Sequence, residues 1–337
     1  MNRRHTFKEH YLMRIQPKMS LGRAAAALGL FGLLLAASGP ARAQHSAYAL
    51  ANGGSTLITF QTNTPGGASA VGNFTLNGQA TFLDAIDFRP LDGVLYGYLD
   101  ATDTLYRVDL GTAALTAVAS GSGASATNTN LLGMDFNPTI DRVRVVTDSG
   151  QNLVYNPNSA AAPAVATDLF YPAGDPGADA PLGARIVENA YSNNIAGIGL
   201  PTIQYGIDYG LDSLVTIANN AGTLTTIGSL GLNIDDSAPF VGFDIFTALN
   251  GGNIAYAVLD TTAGSAPSLY TIDLGTGAAT SVGSVGGGFT QVYSLAVAPS
   301  VVPEAGTAAL TLLGGLPLTA AALRRRRRRS HGSGPNR

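Results

Sequence analysis

The sequence predicts an all-β fold, a β-propeller of about five four-stranded blades closed by its C-terminal strand. Three observations lead there: a hairpin pattern that recurs five times, apolar strands that precede most copies, and a chain start lacking a strand that the chain end has to spare. A β-sandwich or β-solenoid is the alternative for so many short strands.

The hairpin is clearest in residues 105–118 (LYRVDLGTAALTAV) and 269–282 (LYTIDLGTGAATSV), which agree at nine of fourteen positions. Weaker copies start at Leu57, Leu153 and Leu214, so the five leucines stand 48, 48, 61 and 55 residues apart. In each copy an alternating apolar strand meets a turn rich in Asp, Asn, Gly or Pro, and a second strand returns. Asp109 and Asp273, just before Leu-Gly-Thr, are expected to fix the turn by accepting backbone hydrogen bonds. Ahead of the hairpins lie further strands: Ala85-Ile86-Asp87-Phe88, Gly133-Met134-Asp135-Phe136 and Val241-Gly242-Phe243-Asp244, followed by strands over 94–99, 143–147 and 254–259. Four strands repeating every 45 to 60 residues are the mark of a propeller, whose radial packing protects sheet edges. The first unit begins at Tyr48-Ala49-Leu50 with nothing ahead of it, and residues 292–299 resemble an innermost strand with no hairpin behind it. The last strand is therefore expected to complete the first blade.

The ends of the chain predict export. Basic residues scattered from Arg3 to Arg23 precede an uncharged apolar run over 24–37, then Ser38-Gly39-Pro40 and Ala41-Arg42-Ala43. That order is a signal peptide's, with Ala41 and Ala43 in the small-residue positions of the cleavage site. A retained anchor would need about 20 apolar residues, more than this run offers. At the other end Val302-Pro303-Glu304 is followed by an uncharged stretch over 305–323 and six arginines over 324–329. About 19 such residues just span a bilayer, with the arginines held on the cytoplasmic side. The division expected is a signal peptide over 1–43, a repeat domain over 44–300 and a tail over 301–337.

Val302-Pro303-Glu304, the span and the arginine block resemble the PEP-CTERM sorting signal of Gram-negative bacteria, with Ala305 where that motif has proline. The resemblance implies a substrate of an exosortase, a membrane protease that removes the tail, after transient anchoring in the inner membrane. It also implies a place at the cell surface or in extracellular matrix, associated with exopolysaccharide or biofilm. The LYxxDLGT and DFxP stretches within 47–299 resemble the domain of unknown function 4394 family, which implies a propeller-like fold and no known activity.

Composition excludes several function classes. Residues 44–300 hold 19 Asp and one Glu, Glu188, against five Arg and no Lys, a net charge of −15. Such a domain repels nucleic acid and anionic lipid. The chain has no cysteine, and its four histidines, His5, His10, His45 and His331, all fall near the ends. His45 is expected at the new N-terminus, outside the folded part. Ser-His-Asp, Cys-His and Schiff-base chemistry are then unsupported, as is the commonest zinc ligand. Paired carboxylates suffice for a glycosidase, so a secreted carbohydrate-active enzyme is the enzymatic alternative, though no Trp is present to platform a sugar.

The Pro/Gly-rich loop over 171–181 carries Asp175 and Asp179, hard oxygen ligands for calcium, the one cofactor the residue types suggest. The run lacks the ligand count of an EF-hand, and an ordinary solvated loop is the bland reading. The function expected is a non-catalytic surface or matrix protein, a rigid scaffold presenting loops to polysaccharide or a surface protein. A calcium-stabilised adhesion module is a third reading. Partners are signal peptidase, an exosortase-like enzyme and, before processing, the membrane. The exported protein should begin at Gln44 and lose its tail near Pro303-Glu304. Terminal sequencing and mass spectrometry of surface material check this, and a product spanning Met1 to Arg337 would refute it.

Overall fold

The computed structural model describes residues 44–120, 131–237, 239–261 and 266–300. Ala41 and Ala43, expected at the cleavage site, and Val302, Pro303 and Glu304, expected in the sorting motif, lie outside them. Among the described residues no helix is long and apolar enough to cross a membrane.

The strands form five antiparallel blades. The first uses β1 (Ser46–Ala51), β2 (Thr56–Gln61) and β3 (Thr64–Asn73). A short hairpin, β4 (Thr75–Leu76) and β5 (Gln79–Ala80), leads to the second blade, β6 (Ala85–Phe88), β7 (Leu95–Leu99), β8 (Thr104–Val108) and β9 (Ala114–Ser120), and joins its outer edge. The third is β10 (Leu132–Asn137), β11 (Arg142–Thr147), β12 (Asn152–Tyr155) and β13 (Ala164–Val165). The fourth is β14 (Ile186–Tyr191), β15 (Gln204–Asp208), β16 (Ser213–Ile217) and β17 (Leu224–Ser229). The fifth is β18 (Val241–Thr247), β19 (Asn253–Leu259), β20 (Ser268–Ile272) and β21 (Ala279–Ser284). The last strand, β22 (Tyr293–Val297), pairs with β1, Ala47 opposite Val297 and Leu50 opposite Tyr293, so the chain end supplies the innermost strand of the first blade.

The repeat has a physical basis at both ends of each hairpin. Leu57, Leu105, Leu153, Leu214 and Leu269 are all buried, and in four blades the register shifts directly after this leucine, at Leu57, Leu105, Leu214 and Leu269. A bulge there strengthens the twist that an outer strand needs. In the turns Asp109 Oδ1 accepts from Gly111 and Thr112 N–H, each at 2.9 Å, and Asp273 Oδ1 accepts from Gly275 and Thr276 at the same distance.

Among the described residues five apolar clusters hold the ring, one at each blade-to-blade junction. Phe243 and Ile207 pack in the fourth-to-fifth junction, Phe246 and Ile58 in the fifth-to-first, Phe74 and Ile86 in the first-to-second, and Met134 and Tyr98 in the second-to-third. The third-to-fourth cluster, around Val146 and Ile186, is the smallest. Beside it a polar network adds order: buried Arg144 donates to Asn152 Oδ1 at 2.7 Å and to Asn220 Oδ1 at 2.8 Å.

His45 corrects the expectation that it sits outside the folded part. It precedes β1, its backbone N–H and carbonyl bond to Thr62, and its ring stacks on Phe246 with centroids 3.6 Å apart. The ring is half-buried because β1 delivers it to the face where β18 ends. Ser300 leaves from that face too, its hydroxyl donating to the Thr247 carbonyl at 2.9 Å.

Deleting residues 292–299 should lower the melting temperature of the chain by about 10 °C or more, and Leu295→Ala should cost about 2–5 kcal/mol. Thermal melts of both variants check this; an unchanged melt of the deletion would contradict ring closure by β22.

Candidate functional site

The first strands of the blades, β22, β6, β10, β14 and β18, contact one another in that cyclic order and surround the axis. Their N-terminal residues Asp84, Leu132, Val187, Val241 and Tyr293 line one cavity, so all five run in the same direction away from it. Such neighbours belong to different sheets, and side chains make the connections that a ladder would otherwise supply.

Asp87 Oδ2 on β6 accepts from Phe136 N–H on β10 at 2.9 Å. Asp135 on β10 accepts from Tyr191 N–H on β14. Asp244 Oδ2 on β18 accepts from Val297 N–H on β22 at 2.5 Å, and Ser294 Oγ on β22 accepts from Ile86 N–H on β6 at 2.9 Å. From β14, Asn189 Nδ2 donates back to the Gly133 carbonyl at 3.3 Å. Close approach is built in by glycine two residues ahead of two of these aspartates. A Cβ at Gly133 would stand 2.5 Å from Glu188 Cα, and one at Gly242 would stand 2.8 Å from Leu295 N.

These staples bring carboxylates together on the axis. One oxygen from each of Asp87, Asp135 and Asp244 lies within 4.8 Å of the others, and all three residues are buried. Two unit charges separated by the full 4.8 Å repel by roughly 3–4 kcal/mol even at an effective dielectric of about 20. Glu188, also buried, adds to the field: its charge and that of Asp135 oppose each other, and Asp87 and Asp244 oppose it. Burial holds Asp87, Asp135 and Glu188 well above the usual carboxylate range, and mutual repulsion adds to it. Asp244 is pushed up by burial to about 7, limited by the Val297 and Ile245 N–H groups that favour its charged form. Its charge adds to the rise of Asp87 and Asp135.

The cavity above the cluster measures about 110 Å³, smaller than the roughly 150 Å³ that encloses a benzene ring. Its wall is mixed. Phe240 and Tyr293 present rings with centroids 6.0 Å apart, Leu132 and Val187 supply aliphatic surface, and Asp84 supplies a carboxylate. Asp84 accepts from Asp100 N–H at 2.8 Å, and burial pushes its pKa up to about 6. The mouth takes one small group or a few waters.

The loop aspartates singled out from sequence lie elsewhere, along one shallow groove beside Tyr171. Asp175 caps a single 3-10 turn: Oδ1 accepts from Gly177 N–H at 2.9 Å and Thr226 Oγ1 at 2.6 Å, and Oδ2 accepts from Thr226 N–H at 2.9 Å. Asp179 is exposed. Sequence reasoning passed over the axial set, although Asp87, Asp135 and Asp244 hold the same central place in the apolar strands AIDF, GMDF and GFDI. A carboxylate repeated inside otherwise apolar strands was the available signal, because an ionisable group is rarely buried unless it is paired or ligated.

The sequence profile of the family described as "Domain of unknown function (DUF4394)" matches residues 56–296. No curated protein matches the chain. Among solved structures the chain resembles one from a nidogen/laminin complex, at 11% identity and a TM-score of 0.37, covering 76% of this chain and 98% of that one. A functionally unknown protein from Desulfotomaculum acetoxidans has the same identity and score, with 76% and 100% covered. A protein from Lactobacillus plantarum is 16% identical with a TM-score of 0.33, covering 72% of this chain and 67% of that one. These likenesses carry no argument about activity.

A carboxylate whose folded pKa is raised adds stability below the ordinary carboxylate range and withdraws it as pH rises through the raised value. In metal-free buffer the protein should therefore lose stability, on the order of 3 kcal/mol, as pH climbs through about 6 and 7, the Asp84 and Asp244 values. Denaturant midpoints at pH 5 and pH 8 in chelator measure the effect. Asp244→Asn should reduce it, and a wild-type midpoint that rises over this interval would exclude charge stress on the axis.

Proposed function

The chain belongs to the DUF4394 family, and from that premise we propose that it is an exported, non-catalytic binding scaffold of the cell surface or extracellular matrix. Its binding centre is the mouth of the axial cavity. One observation carries the non-catalytic reading: the carboxylates that gather in the interior are employed as staples. Asp87 and Asp244 each hold a backbone N–H of the next blade, and both are buried beneath a cavity too small for a sugar ring. A general acid or base must reach the atom it protonates, and a glycosidic oxygen has no route to these groups.

What the mouth favours is a neutral or cationic group with an apolar flank, presented by a polysaccharide substituent or a protein side chain. The acidic charge of the domain discourages anions, and Asp84 with the Phe240 and Tyr293 rings suits a hydroxyl or ammonium group. Export is supported by the order of features at both ends. Cleavage after Ala43 would leave the His45 contacts and β1 whole.

The raised pKa of Asp84 at the mouth favours one second reading, a carbohydrate-active enzyme with Asp84 as its acid. Incubation of the purified exported protein with a panel of glycosides separates the two. No turnover is expected, and turnover abolished by Asp84→Asn would replace the scaffold reading with the enzymatic one. Retention on immobilised exopolysaccharide, weakened about tenfold by Phe240→Ala, is the positive result expected.

A further inference from the structure

The axial carboxylates leave oxygens without partners. Asp87 Oδ1, Asp135 Oδ1 and Glu188 Oε1 are buried and accept no hydrogen bond, although the second oxygen of Asp87 is engaged. No organic cation answers them among the described residues. Arg89 pairs with Asp141, Arg107 donates to Tyr96, Arg142 to backbone carbonyls, Arg144 to Asn152 and Asn220, and Arg185 to Tyr209. Lysine is absent from residues 44–300. Three oxygens within 4.8 Å of one another match the spacing of ligands around one ion with metal–oxygen distances of about 2.3–2.6 Å. An all-oxygen, carboxylate-rich set selects a hard cation and disfavours zinc or copper. Glu188 comes from β14 and is opposed by the charges of Asp244 and Asp87, so a fourth blade brings a carboxylate into the same field.

We propose that the propeller axis is a calcium-type divalent-cation site, with Asp87, Asp135 and Asp244 as its first ligands and Glu188 as the fourth. The inference goes beyond the scaffold reading and stands whatever occupies the mouth. The cation neutralises the converging charges and joins the inner strands β6, β10, β14 and β18. Asp175 and Asp179, the loop pair that sequence suggested for calcium, serve as the internal control.

The test uses the full chain, stripped with chelator and then given calcium alone, read by metal content and by thermal melt. Wild type should recover about one calcium per chain and melt about 5 °C higher or more once calcium exceeds its Kd a hundredfold. Asp87→Asn with Asp135→Asn keeps an acceptor for each stapled N–H and removes two charges. That variant should melt no lower than stripped wild type and show no calcium response. Should it fail to fold, Glu188→Gln replaces it, with at least tenfold weaker binding expected, and the wild-type metal content decides by itself whether a site exists. Asp175→Asn with Asp179→Asn should respond as wild type does. A wild-type chain that takes up no calcium and melts unchanged overturns the proposal and leaves protons as the neutralising species. Loss of uptake in the loop variant with retention in the axial one overturns it in favour of the loop.

Discussion

Five strands that descend side by side around an axis cannot pair with one another, because each already belongs to a sheet that points outward. Their facing N–H groups are buried all the same, and an unpaired buried amide is destabilising. The chain answers with side chains: Asp87, Asp135, Asp244 and Ser294 each accept from the inner strand of the next blade. A carboxylate is a strong acceptor for this work, and its drawback is charge. Stapling and charge accumulation are two sides of one solution, which is why the most stressed ionisable groups in the protein lie where its blades are joined.

The same constraint explains the uneven character of the ring. Four junctions rest on large apolar clusters, whereas the third-to-fourth has a small one and leans on Arg144, Asn152 and Asn220. Arg144 finds its partners among amide oxygens, which accept a guanidinium without adding another negative charge to a domain already crowded with them. Arg89 and Asp141 do similar work at the rim, tying the second blade to the third through two hydrogen bonds of 2.7 and 2.5 Å.

Much of the fold was legible because a propeller writes its geometry locally. The repeat leucine, the Asp-Leu-Gly-Thr turn and the orphan strand at the end are each readable within a few residues, and their spacing identifies the ring. The axial site is not local. Asp87 and Asp135 stand 48 residues apart, Asp244 another 109 beyond, and only closure of the ring brings them within reach of one another. Each sits in an apolar strand that reads as core, and a burial pattern without alternation hides which positions touch the axis. Asp175, by contrast, stood out in a conspicuous loop, where it caps a 3-10 turn. His45 was misjudged for a related reason: its partner Phe246 is 201 residues away, invisible to any reading of its neighbours.

The two ends of the propeller leave from one face, His45 against Phe246 and Ser300 against Thr247, where β18 finishes. The cavity opens where β18 begins, and seven residues of strand place it roughly 20 Å away. The turns between first and second strands share the face of the ends, and they expose Leu91, Ile140 and Leu249. A tether at either end would therefore hold the ring by the face that carries these turns, as a stem holds a cup. The greasy rim of turns would then face the anchor, and the bowl would open away from it.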